Sequence, residues 1–114
     1  SWLKLPACVT GYCHGYQSYP CLFQTETLSS SSISRVNKLR NEWMDRLQKV
    51  GISTRPATHA VHMLTYYRKK YGLVPRAFPN AWAANDCSIS LPLFHGMTEA
   101  EQKQVILHVR ECSA

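Results

Sequence analysis

Long apolar runs are missing from this 114-residue chain. None approaches the ~20 residues that a membrane-crossing helix needs, which excludes a helical span. The first residues form neither a basic segment nor an apolar one, so no secretory leader is expected. Glycine is sparse: Gly11, Gly15, Gly51, Gly72 and Gly96 stand singly. Neither a Walker A loop nor a GxGxxG dinucleotide turn can be assembled from them. There is no GxSxG elbow for a serine nucleophile, and no cysteine carries a catalytic signature. The five cysteines, Cys8, Cys13, Cys21, Cys87 and Cys112, are odd in number and contain no CxxC pair. That count and spacing favour reduced thiols in a soluble cytoplasmic protein over a disulfide framework.

Acidic residues are also few, seven against thirteen Lys and Arg, leaving a formal charge of +6. An excess of this size can attract phosphates. Here, however, Arg35, Lys38, Arg40, Arg46 and Lys49 are spread over the faces of one helix among Glu42 and Asp45. Only Arg68-Lys69-Lys70 forms a run, so neither nucleic acid nor a membrane is the expected partner. The hydrophobic share of 45% is that of a globular protein. The length suits a single domain over residues 1–114. A domain of this size buries roughly 65% of its unfolded surface.

Residues 1–15 read as an extended lead-in, and the aromatic segment 16–24 as a strand. Pro20 cannot donate to a ladder, which puts that strand at an edge or interrupts it. A Ser/Thr-rich loop over 25–32 supplies N-cap candidates. Ile33, Val36, Leu39, Trp43, Leu47 and Val50 recur at three and four, predicting a helix over 33–50 that ends at Gly51. A short strand is expected over 52–55, a helix over 59–71 stopped by Gly72, and a short helix over 78–85 begun by Pro79. Ser88–Leu93 alternates Ile89, Leu91 and Leu93 inward. Thr98 and Glu101 form a capping box, leading a helix with Val105, Ile106, Val109 and Cys112 on one face. The order predicts an α+β fold, a small antiparallel sheet of about three strands covered by helices on one face. The other sheet face is left as a candidate docking surface.

Among residues with chemistry, His59 and His62 stand three apart and would share a helix face that suits a metal. Nothing in the spacing selects a third ligand, and one buried, one exposed histidine is the simpler reading. Cys8, Cys13, His14 and Cys21 are too widely spaced for a structural zinc and read as small buried thiols. Arg55, at a strand end, is placed to hold a phosphate or carboxylate bidentately, or to pair with a nearby acid. Tyr66 and Tyr67 read as core residues with hydroxyls reaching solvent. Of Lys4, Lys38, Lys49, Lys69, Lys70 and Lys103, most lie in polar or charged settings, unlike a desolvated Schiff-base lysine.

Four segments carry a resemblance: HGYQSYPCLFQ (14–24), the helix with Arg40, Asn41, Met44 and Leu47 before Gly51-Ile52, TRPATHAVHMLTYYRKKYG (54–72) and SLPLFHGMTEAEQKQVI (90–106). Together the chain resembles the C-terminal small domain of the DegT/DnrJ/StrS sugar-nucleotide aminotransferases, in the branch near perosamine synthases. The resemblance implies a small domain like that of fold-type I aminotransferases, which closes one side of an active site in a homodimer. It implies pyridoxal phosphate (PLP) as the family's cofactor, bound to a lysine in a larger N-terminal domain. By the same resemblance, His62 borders the substrate pocket, with Arg55 and His59 the next substrate-binding candidates. No cofactor-binding residue of the family has a counterpart here. The chain is therefore expected to be inactive alone and to need a large domain or a second copy. A different class of function is a free-standing interaction module that uses the open sheet face. Ala57 replaces a usual glycine, Pro20 a valine, His95 a proline, and Asn85-Asp86-Cys87 a basic-hydrophobic pair.

Overall fold

A computed structural model describes residues 1–111. Its chain order is β1 (Leu3–Lys4), β2 (Tyr19–Phe23), α1 (Ile33–Lys49), α2 (Thr65–Tyr71), α3 (Pro79–Cys87), β3 (Ser88–Leu91) and α4 (Glu99–Glu111). Single 3-10 turns precede α2 and α3, at Val61–Met63 and Pro75–Ala77. The α+β class and the three-stranded antiparallel sheet agree with the sequence reading, but the membership of the sheet differs.

The lead-in is part of the fold. Leu3 pairs with Phe23 and Lys4 with Leu22, giving the strand order β1-β2-β3. Trp2 accounts for this: its ring meets Phe23 and Trp43 edge-on, at centroid distances of 5.5 and 5.1 Å. Edge-to-face aromatic pairs add roughly 0.5–1.5 kcal/mol each beyond area burial. The anticipated strand over 52–55 shrinks to one bridge, Arg55 to Ser90, because Pro56 removes the next backbone donor.

Pro20 lies in the central strand, not at an edge, opposite Ser90. Its tolerance is local, since β1 reaches only as far as Leu22 and leaves one side of Pro20 without a neighbouring strand. Period-two alternation puts Tyr19, Cys21 and Phe23 on one face, opposite Ile89 and Leu91 of β3. That face meets Ile33, Val36, Trp43 and Leu47 of α1 and Val105 and Val109 of α4 in a single core. Fully burying one such apolar side chain stabilises by about 1.5–3 kcal/mol.

The buried stripe of α1 is Ile33, Val36, Arg40, Trp43 and Leu47. Leu39 and Val50, expected inside, are exposed, and Arg40, expected on the surface, is buried. At the start of α1 the Ser32 hydroxyl makes no cap bond. It donates instead to the Thr27 carbonyl at 2.7 Å, tying down the serine loop. Gly51, at φ +82, ends the helix as its position implies.

The segment 59–71 is not one helix. Leu64, at φ −67 and ψ 137, separates the Val61–Met63 turn from α2. No residue of α2 is buried, and Tyr66 and Tyr67 lie on the surface rather than in the core. Leu93, expected inward, is exposed because the chain leaves the sheet at Pro92. The opposite sheet face is only partly open: Pro20 is exposed and Leu22 half-buried, whereas Ser88 and Ser90 are buried. The 55–57 segment covers those serines, with Ala57 N–H donating to Ser88 Oγ at 3.3 Å.

The capping box forms as read. Glu101 Oε2 accepts from Thr98 N–H at 2.8 Å and from the Thr98 hydroxyl at 2.7 Å, while Glu101 N–H donates back to Thr98 Oγ1 at 3.3 Å. Ile106 is exposed, and Cys112 lies outside the described residues.

Candidate functional site

The Arg55–Ser90 bridge sets one wall of a cleft. Ser90 N–H donates to the Arg55 carbonyl at 2.7 Å, and Arg55 N–H returns the bond at 3.4 Å. This holds the Arg55 backbone against β3 while its side chain stays exposed. The cleft beside it has a volume of about 660 Å³, within the ~300–1,000 Å³ typical of small-molecule sites. Polar groups come from Gln17 and Ser18 before β2, from Ser53 and Thr54 before Arg55, and from Gln104 on α4; Leu93 and Phe94 supply an apolar wall.

Among the described residues Arg55 makes no ion pair and no side-chain hydrogen bond. Glu101 borders the same cleft, but its carboxylate is held by Thr98. Those bonds, the backbone one first, keep the Glu101 carboxyl below the usual range. Arg55 is therefore a cation of the cleft whose guanidinium donors are all free among the described residues. Its planar fork suits a phosphate or carboxylate. Chemically the arrangement can bind and orient an anion.

The two histidines lie outside this cleft. His62 is buried, with Nε2 3.2 Å from the Pro75 carbonyl oxygen and its ring 5.0 Å from that of Phe78. His59 is exposed. One buried and one exposed histidine is the simpler of the two sequence readings. No cluster of three or more His, Cys, Asp or Glu able to hold a metal occurs among the described residues. The segment between them is pinned by Asn85, whose Oδ1 accepts from Ala60 N–H at 2.8 Å.

The unusual Asn85-Asp86-Cys87 sequence is fully used. Asp86 accepts from Trp82 Nε1 at 2.7 Å, and its backbone carbonyl accepts from Asn37 at 2.7 Å. Cys87 is buried against the Ile33 carbonyl. Ala57 is not among the positive-φ positions, so its extra methyl brings no backbone strain.

Sequence reasoning missed Arg40. Its Nη1 donates to the Ser88 carbonyl at 3.1 Å beneath the strand that carries the cleft, and burial pushes its guanidinium below the usual value. The signal was present: the steps 36, 40, 43, 47 continue the helical stripe better than Leu39 does. The polar lining of the cleft had no signal, since residues 17–18, 53–54 and 104 converge only through the fold.

The residues present do not fit a covalently held PLP. All six lysines are exposed and none lines the cleft, whereas a cofactor-bearing lysine is held in a shielded site that tunes the cofactor.

The sequence model of the DegT/DnrJ/EryC1/StrS aminotransferase family matches residues 21–110. An uncharacterized protein of Methanocaldococcus jannaschii is 29% identical over 98 residues, covering 86% of this chain. The match takes up 23% of that relative's length.

Proposed function

We propose, from the premise that this chain belongs to the DegT/DnrJ/EryC1/StrS aminotransferase family, that it forms the small C-terminal domain of such an enzyme. In this reading it supplies the substrate-binding wall of an active site, and PLP and its lysine sit on a larger domain. The short share of the longer relative that it matches supports this. So do six lysines that are all exposed, unlike one held in a shielded cofactor site.

The observation that carries the reading is the backbone-anchored Arg55 in the cleft, unpaired among the described residues. Its role is to clamp an anionic group of the substrate. A nucleotide-sugar fits, because its diphosphate offers paired oxygens to the guanidinium fork. His59 and His62 act at a distance from the clamp, His62 by holding the segment that follows Arg55. Titration of the chain with a nucleoside diphosphate sugar, followed by amide shifts, is expected to move Thr54, Arg55 and Ser90. Unmoved amides at these positions overturn the assignment.

A second reading is favoured by the apolar groove of about 380 Å³ between the sheet and α4, where Leu5, Leu93 and Ile106 are exposed. There the chain works as an interaction module that docks through this groove. Sedimentation at rising concentration separates the two: a strict monomer removes the self-association form of the second reading.

A further inference from the structure

The structure divides the four described cysteines into two classes. Cys21 and Cys87 are buried in the core, whereas Cys8 and Cys13 are exposed on the loop that joins β1 to β2. The sequence reading, which took the N-terminal thiols as small buried groups, is corrected on Cys8 and Cys13. The loop reverses direction between them. Tyr12 N–H donates to the Val9 carbonyl at 3.0 Å, and Gly11 occupies the left-handed region at φ +88. The reversal brings Cys8 Sγ to 2.8 Å from the Tyr12 carbonyl oxygen. That carbonyl belongs to the peptide unit joining Tyr12 to Cys13. In a trans peptide its oxygen lies about 2.8 Å from the next Cα, so Cys8 Sγ is within about 5.6 Å of Cys13 Cα. Both cysteines also border one small concavity with Val9, Tyr12 and His14.

We infer that Cys8 and Cys13 form a reversible dithiol site that reacts with low-molecular-weight disulfides. The thiolate of one attacks a sulfur of oxidised glutathione and displaces the first glutathione thiolate, which takes up a proton. The second cysteine gives up its proton to water and attacks the sulfur of the first. A protein disulfide forms and the second glutathione leaves. Two protein thiols are oxidised by two electrons, and one glutathione disulfide is reduced to two thiols. The bond closes a six-residue ring around the Val9–Tyr12 turn, which already has the required reversal. His14 Nδ1 accepts from Tyr16 N–H at 2.8 Å and its ring rests on Tyr16, and no group of three or more His, Cys, Asp or Glu able to hold a metal occurs among the described residues. Burial pushes the Cys21 and Cys87 thiols up to about 11, which keeps them out of the exchange.

The test is incubation of the full chain with oxidised glutathione, followed by acid quench, chymotryptic digestion and mass spectrometry. Cleavage after Tyr12 separates Cys8 from Cys13 unless a disulfide joins them. The expected product is a pair of linked peptides lighter by two hydrogens, with Cys21 and Cys87 unmodified. In Cys13→Ser the glutathione adduct on Cys8 is expected to persist at roughly ten times its level in the unchanged chain, since intramolecular resolution is lost. Stable adducts on both cysteines without a link, a link from either to another cysteine, or no reaction each overturn the proposal.

Discussion

The Arg40 guanidinium donates to the carbonyl oxygen of Ser88, 48 residues further along the chain, across 3.1 Å of core. Through this bond α1 holds the first residue of β3, and β3 holds the backbone of Arg55. A buried cation thus supports an exposed one without touching it.

Replacing Arg40 by alanine leaves the Ser88 carbonyl unpaired and opens a void beside Met44. The expected loss is about 2–4 kcal/mol of stability. Arg40→Met fills the space without a charge and is expected to cost less than half as much. Urea unfolding of the two variants checks both the size and the order.

Arg55→Ala is expected to leave the urea midpoint unchanged, because the side chain is exposed and makes no ion pair among the described residues. It is expected to weaken nucleoside diphosphate sugar binding about tenfold or more, the loss of a charge-assisted bidentate contact. Calorimetric titration of both proteins gives the comparison. His62→Ala should show the reverse pattern, lowering the midpoint through its lost packing on Phe78 and changing affinity less.

The buried thiols carry a pH dependence. Burial raises Cys21 and Cys87 to about 11 in the folded chain, above their ordinary value. The folded state therefore keeps protons that the unfolded state releases. Their contribution is full below the ordinary thiol value and is lost as pH rises through about 11. Denaturation midpoints are expected to fall at alkaline pH, and less steeply in Cys87→Ala. At neutral pH a thiol reagent should label these two only on unfolding.

Glu101 works in the opposite direction. Bonds from Thr98 lower its carboxyl, as the Arg35 guanidinium lowers that of Glu26. A depressed carboxyl stabilises above its unfolded value, and that stability is lost as pH falls through the folded one. Acidification should fray α4 from its first turn. Glu101→Ala is expected to reduce helicity at neutral pH and to flatten the acid limb of a circular dichroism titration.

Several features could be read along the chain because their causes are local. The capping box needs only Thr98 and Glu101 three apart, and Gly51 and Gly72 stop helices because both stand at positive φ. The break at Leu64 was harder to read: the Val61–Met63 turn depends on His62 packing against Phe78 and on Asn85 holding Ala60, both distant in sequence. Similarly, β1 exists because Trp2 reaches Phe23 and Trp43, and no period can show a strand of two residues. Within the candidate site Arg55 was legible by residue type and position. Its neighbours across the cleft were not, because they come from the β2 approach, β3 and α4.

Scarce acids, absent apolar runs, helical stripes and motif strings thus determined the α+β class, the family and the candidate anion clamp. Each is a property of residue types at short separation, where backbone geometry alone decides the outcome. Tertiary structure decided the rest. It buried Arg40 and packed His62 against Phe78, left Arg55 without an acid among the described residues, and separated two exposed thiols from two enclosed ones. Those outcomes depend on which distant groups share a desolvated space, and only the folded chain brings such groups together.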